Sequence, residues 1–389
     1  MTIMTVDWLA REALLILQNN LVASLLFDRR YESDFTGTEA RGDTIRLRRR
    51  DRGNAQEFTG TINARGLEES TINLVLEKHF DASFEITSKE LTLELDDFSS
   101  QVLEPQVVSI AELVDTFAVS KFKDLPNIAN VSAADLPLPA PTAIIDLANA
   151  RKVNNETKVP MAGRVAVWDP TLEAAMLGID AFVTADKKGD TGTALREASL
   201  GRVLGYDHFM SQNVDGETAL TIPAVADQVG AINNVAGYPV GTLTMAVDGL
   251  TVSLTPAAPA GSNVSIGAFS YTLAADLDTD MGGAGTLTIL EGLKEPVIDD
   301  AVVTLFGLAA GDDYFRRGAL FHPRAFALAS VPLVIPPGAT GSSISDQGIS
   351  IRVIQDYDST TKKAIISLDV LVGARVVDGS LGAQFVTDA

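Results

Sequence analysis

Three aspartates at alternate positions, Asp276, Asp278 and Asp280, are this sequence's nearest approach to a metal loop, since carboxylates two residues apart can wrap a hard cation such as calcium. The pattern then departs from what such a loop needs. Its sixth position, where the chain must turn sharply, is Met281 in place of glycine, and its twelfth is Leu287 in place of a bidentate glutamate. The motif reads as a solvated acidic turn. The three histidines, His79, His208 and His322, lie far apart with no H-x-x-x-H pair, which argues against an imidazole metal centre. With no cysteine, disulfides, thiolate nucleophiles and cysteine-held zinc or iron–sulfur sites are excluded. His322 precedes Pro323 inside an apolar run and reads as a structural histidine, not a general base. No G-x-S-x-G elbow, P-loop or G-x-G-x-x-G marks a strand-to-helix transition. No catalytic residue, cofactor or metal is therefore expected.

The cluster with clearer consequences is cationic. Residues 43–52 (DTIRLRRRDR) start with strand alternation and end in a basic run: Arg46, Arg48, Arg49, Arg50 and Arg52 are five of the seven residues 46–52. A turn-rich stretch follows, with Gly53, Asn54, Gly60, Arg65 and Gly66, and then a second strand over 70–76. Two extended runs joined by a long polar tip make a protruding β-hairpin loop. Such a loop is too polar to fold on itself and needs solvent or a partner. An arginine run can be a solvated face, a nucleic-acid patch, or a cover for an acidic surface of an adjacent copy. The chain as a whole has 51 acidic and 30 basic residues, a net charge of −21. That balance repels phosphate backbones and adds weight to the third reading.

The elements that must carry these residues are legible from periodicity. Over 6–27, Leu9, Leu14, Leu17, Leu21 and Leu25 form one side of an amphipathic helix, either packed on its own core or docked on a neighbour. Residues 81–95 alternate as a strand pair, or as a strand leading into a helix. Over 98–125 the stripe Leu103, Val107, Ile110, Val114 and Phe117 predicts a long spine helix, opened or kinked by Pro105 and extending roughly 30 Å from Pro105 to Leu125. A Pro-rich loop covers 126–141. Helices are expected over 143–152, 171–177 and 194–201, with Asp169 as N-cap of the second and Pro170 at its first position, and a strand over 163–168.

The character changes near residue 215. From 215 to 315 there is one basic residue, Lys294, against thirteen acidic ones. Strands are expected over 241–247, 250–254, 263–266, 268–273, 285–290 and 301–306, with Asp248-Gly249 as a two-residue hairpin turn. This predicts a small antiparallel β domain inserted at an exposed loop. After it, 318–338 (GALFHPRAFALASVPLVIPPG) reads as an apolar run to His322-Pro323, a helical turn or two over 324–329, and a Pro-bracketed extended segment over 331–337. The tail pairs a strand over 349–356 with an apolar one over 362–377, central to its sheet.

At 389 residues, 46% hydrophobic and 21% charged, the chain can bury a large core in two or three domains. The most apolar early run, 13–17, is bounded by Arg11-Glu12 and Gln18-Asn19-Asn20, far short of a signal peptide core or membrane span. The chain is expected to fold in a cytoplasm.

Several of these pieces resemble, in order and spacing, the major capsid proteins of tailed bacteriophages, in particular the short-tailed-phage type with an inserted β domain. They are Gly42-Asp43-Thr44 opening the loop, FEITSKE at 84–90, FHPRAFALA at 321–329, VPLVIPPG at 331–338, and 351–357 leading to 368–372. The resemblance implies an α+β capsid fold shared by tailed phages and herpesviruses. It implies an N-terminal arm (1–42), an extended loop (43–77) and a peripheral domain with the spine helix (78–142 and 341–389). An axial domain (143–214 and 316–340) and an inserted acidic β domain (215–315) complete the set. Arg46, Arg48, Arg49, Arg50, Arg52 and Arg65 would lie in intersubunit contact. The implied function is a structural shell protein in the virion, assembled in the bacterial host cytoplasm. The implied partners are pentamers and hexamers of itself, separate scaffolding and portal proteins, a decoration protein, and packaged double-stranded DNA held without specificity. Two other classes remain at this stage: a secreted or surface β-rich binding protein, and a hydrolase of unknown type.

Overall fold

The computed structural model describes residues 6–31, 43–48, 71–87, 99–130, 138–184, 198, 200–214, 228–267, 269–305, 314–358, 360 and 363–388. The chain divides into two compact units, one of Met1–Ile45, Leu74–Lys121 and Phe326–Arg375, the other of Arg46–Asn73, Phe122–Ala325 and Val376–Ala389.

The first unit is helix on sheet. The amphipathic stripe forms a helix over Val6–Asn20, burying Leu9, Leu14 and Leu17, followed by a single 3-10 turn over Ser24–Leu26. The spine helix is Glu104–Val119, with Pro105 in its first turn, where its missing N–H costs nothing. Val107, Ile110, Val114 and Phe117 of the expected stripe are buried. The helix is shorter than its periodicity suggested. A π turn, Ser99–Leu103, precedes it and a 3-10 turn, Ser120–Asp124, follows. Ser120 explains the change of pitch, its Oγ donating to the Phe117 carbonyl at 2.7 Å and competing with the α ladder.

These helices cover a sheet whose central strand is Lys363–Val376. It pairs antiparallel with Ile349–Asp358 and with Lys78–Thr87, and it also borders Phe326–Val331. Thr340–Asp346 completes the other edge. The apolar run of 362–377 is thus central, as its composition required. Two expectations are corrected. Only Pro323–Ala325 makes a helical turn, and Phe326–Val331 is a strand. Every residue of Phe326–Ser330 is buried, and such a position favours extended pairing over the helical propensity of Ala and Leu. Phe27 stacks on Phe326, with ring centroids 4.4 Å apart.

The second unit holds two six-stranded sheets. One is mixed, in the order Asn127–Ala129, Gly382–Asp388, Tyr314–Phe321, Val165–Trp168, Tyr206–Met210 and Arg202–Val203. The first of these was expected as loop. Its three residues pair parallel with Ala383–Phe385, a non-local contact that no local pattern reports. Helices Ile144–Glu156 and Pro170–Leu177 accompany this sheet, and Asp169 caps the latter by accepting from the Leu172 N–H at 2.8 Å. The helix expected over 194–201 falls mostly outside the described residues; Ala198, Leu200 and Gly201 are not helical. Trp168 meets Phe385 edge-on at 5.0 Å in the core.

The other sheet is wholly antiparallel, in the order Phe269–Thr272, Asn263–Ile266, Val302–Leu305, Gln228–Ile232, Thr244–Asp248 and Gly285–Thr288. It owns a core that includes Ile232, Met245, Val247, Val264, Leu287 and Val303. Residues 250–254 form no strand, and Asp248-Gly249 is not a hairpin turn. Gly249 takes φ +73° and the Leu250 N–H bonds to the Gly283 carbonyl at 3.1 Å, so the chain departs into a loop. The neighbours of Thr244–Asp248 are Gly285–Thr288 and Gln228–Ile232 instead.

Candidate assembly surface

The arginine-bearing segment forms a two-stranded ribbon of Thr44–Arg48 with Thr71–Val75. The pleat sorts it. Leu47, Ile72 and Leu74 are buried, whereas Arg46, Arg48, Thr71 and Asn73 face outward. Arg46 and Arg48 therefore stand two residues apart on one exposed face. Arg49, Arg50, Arg52 and Arg65 lie outside the described residues.

Two features fix the base of the ribbon. The Leu76 N–H donates to the Asp43 carbonyl at 2.8 Å, closing the strands at their root. Where the second strand ends, Gly373 of the central sheet strand lets the backbone approach: a Cβ at Gly373 would lie 2.1 Å from the Val75 carbonyl oxygen. Only glycine fits there.

The N-terminal segment is held by a buried carboxylate that sequence reasoning missed. Asp115, fully buried on the spine helix, accepts the N–H groups of Val22 at 2.9 Å, Ala23 at 3.2 Å and Ser24 at 3.0 Å, and the Ser24 hydroxyl at 2.6 Å. These donors open a 3-10 turn and have no partner within it. The available signal was an aspartate directly beside Val114 in an otherwise apolar stripe. A second buried carboxylate, Asp369, joins Lys78–Thr87, Ile349–Asp358 and Lys363–Val376 in the same unit: Arg352 donates to Asp369 Oδ2 at 2.6 and 2.9 Å, and His79 Nε2 lies 3.2 Å from Asp369 Oδ1.

The residues weighed for chemistry are dispersed. His208 Nδ1 accepts from the Trp168 indole at 2.9 Å, and His322 Nδ1 accepts from the Arg324 N–H at 3.2 Å. Asp280 Oδ1 accepts from the Gly282 and Ala284 N–H groups, both at 2.8 Å. Those bonds pull its carboxyl below the ordinary aspartate range. Asp276 Oδ1 accepts from the Ala260 N–H at 2.7 Å. Asp280 thus organises its own turn, and Asp276 ties that segment to the loop at Ala260. Among the described residues no group of three or more acidic or imidazole side chains could hold a metal ion, and no helix is long and apolar enough to cross a membrane.

No family model and no curated protein matches this sequence. Solved structures do. A chain of Mycobacterium phage Che8 is 14% identical and superposes with a TM-score of 0.51, covering 94% of this chain and 90% of that one. A chain of the mature capsid of bacteriophage PhiM1 is 12% identical (TM-score 0.44, covering 89% and 82%), and one of the capsid of Ralstonia phage GP4 is 8% identical (TM-score 0.45, covering 90% and 84%). The likeness to the Che8 chain runs through nearly the whole of both molecules. The chain shares its mixed helix-and-strand, multi-sheet fold with the Che8 phage chain, and the expected α+β class holds.

Proposed function

We propose that this chain is a structural major capsid protein that self-assembles into the icosahedral shell around phage double-stranded DNA. The carrying observation is the shared fold with the Che8 phage chain over 94% of this chain and 90% of that one. Residues 1–42 act as the arm, 43–77 as the extended loop, 78–142 with 341–389 as the peripheral domain, 143–214 with 316–340 as the axial domain and 215–315 as the insert. The role is non-enzymatic and the product is the virion shell, built in the host cytoplasm with scaffolding and portal proteins and open to a decoration protein.

The physical support lies in the ribbon and the charge. A two-stranded ribbon is marginal alone. Its exposed face carries Arg46 and Arg48 while the chain's net charge is −21, so copies attract where ribbon meets acidic surface and repel elsewhere. Each contact is modest, and closure of the shell multiplies it. The arginines at 46, 48, 49, 50, 52 and 65 carry this contact. Sizing the purified full-length protein by light scattering and electron microscopy tests the reading: megadalton closed particles are expected. Small oligomers under all assembly conditions, scaffold included, would return the chain to the binding-protein or hydrolase classes.

A further inference from the structure

The antiparallel sheet of residues 228–305 has an outward face that solvent alone does not explain. Its pleat turns Val264, Ile266, Val303 and Leu305 inward, which leaves Val229, Ala231, Val302 and Thr304 on the opposite side of the two central strands. Val302 stands opposite Ala231 and Thr304 opposite Val229, so these four form one continuous patch. Val229 and Val302 are each 58% exposed. Next to it, Ala246 and Thr286 extend the face across the last two strands, and Asp248, opposite Ala231, borders it. An open antiparallel face normally alternates apolar-in with polar and charged-out. Among the described residues, no lysine or arginine appears on it.

The same face already docks once. At its other end Asn263 Nδ2 donates to the Pro126 carbonyl at 2.8 Å and Thr272 Oγ1 to the Asp124 carbonyl at 3.3 Å, and both side chains are buried. Among the described residues, Val229, Thr244, Thr286 and Val302 remain exposed on this face.

Charge selects the occupant. The segment 215–315 has one basic residue, Lys294, and its side chain is 5% exposed and paired with Glu291 at 3.5 Å. Asp248, Asp299 and Asp300 edge the patch, Asp299 accepting from the Asn234 N–H at 2.8 Å at the end of a central strand. This field repels phosphates, anionic lipid and a second copy of the same surface, and it draws in cations. We propose that the outward sheet face around Val229 and Val302 is a docking surface for a different protein with an apolar centre and a basic rim. The proposal stands on the surface of 228–305 and does not depend on the capsid reading.

The probe is a synthetic β-hairpin peptide with valines on one face and lysines at its margins, compared with an oligolysine of equal charge, each titrated onto the full-length protein by fluorescence anisotropy. The hairpin is expected to bind at least about tenfold tighter than oligolysine, a difference of about 1.4 kcal/mol. V229K/V302K should abolish that preference. V229T/V302T, which keeps the β-branched shape, should weaken it about threefold or more with an unchanged circular dichroism spectrum. Equal affinity for both probes, or an unaltered preference in both variants, overturns the proposal. So does concentration-dependent dimerisation of the wild type that V229K/V302K removes, since the occupant would then be a second copy.

Discussion

The Ser24 hydroxyl donates to Asp115 Oδ1 at 2.6 Å, and through that bond the spine helix holds the chain that follows the first helix. Three backbone N–H groups converge on the same carboxylate, so it is held by four donors and, among the described residues, no cation. Removing the acceptor strands all four. Asp115→Ala should cost about 3–5 kcal/mol, whereas Ser24→Ala, which removes one bond, should cost about 1 kcal/mol. Amide hydrogen exchange at Val22, Ala23 and Ser24 is the direct measurement: their protection should collapse in Asp115→Ala and persist in Ser24→Ala.

Gly373 has a steric task and no side chain to lose. Gly373→Ala places a methyl 2.1 Å from the Val75 carbonyl oxygen, so the end of the ribbon must shift. A cost of about 1–3 kcal/mol is expected. Protease cleavage within residues 43–77 should accelerate relative to the wild type. An unchanged melting temperature and cleavage rate would show that the strand end yields freely.

Arg46 and Arg48 sit on the exposed face of the ribbon, opposite the buried Leu47, where substitutions cost the fold little. R46E/R48E should melt within about 0.5 kcal/mol of wild type and yet fail to form closed particles. Deleting residues 46–65 should give the same phenotype more severely. Normal particles from the deletion under the electron microscope would sink the assignment of this loop to intersubunit contact.

Glu291 and Lys294 are each 5% exposed and paired, and Glu291 Oε1 also accepts the Gly379 N–H at 2.7 Å. Glu291→Ala leaves a buried ammonium without its carboxylate and the Gly379 N–H without an acceptor, a loss of about 3–5 kcal/mol. Replacing both members, Glu291→Leu with Lys294→Met, should be less damaging than the single change. Chemical denaturation of the three variants ranks them.

Asp280 supplies a pH signature. Its carboxylate accepts backbone N–H groups in the fold, so its folded value lies below the unfolded one. The stabilisation of this turn is complete above the ordinary aspartate value and is lost as pH falls through the depressed folded value. In an NMR titration the Ala284 and Gly282 amides should shift with that lowered midpoint. A midpoint at or above the ordinary aspartate value would show that the two bonds do not form in solution.

Local physics was legible from residue order. The leucine stripe of the first helix, the stripe of the spine helix, the Asp169-Pro170 cap and the apolar centre of Lys363–Val376 all rest on contacts within a few residues or on burial averaged over one element. So did the exclusion of cysteine chemistry and the anionic character of 215–315. Where expectation failed, the deciding partner was remote. Phe326–Val331 extends because a sheet completes it, Asn127–Ala129 pairs with residues 383–385, and residues 250–254 leave the ladder because Gly285–Thr288 takes the place they were assigned.

The sequence by itself determined the periodic elements, the charge partition and the concentration of arginine at 46–52. Tertiary structure decided which of those residues share a surface. Only pairing in space sets Arg46 and Arg48 outward, gathers three N–H groups on Asp115, demands glycine at 373 and sets Val229 diagonally across from Val302 on one sheet face. The reason is physical: propensity and periodicity act over one or two turns, whereas strand neighbours and buried polar partners are chosen by closure of long loops, whose cost rises so slowly with length that order along the chain hardly constrains them.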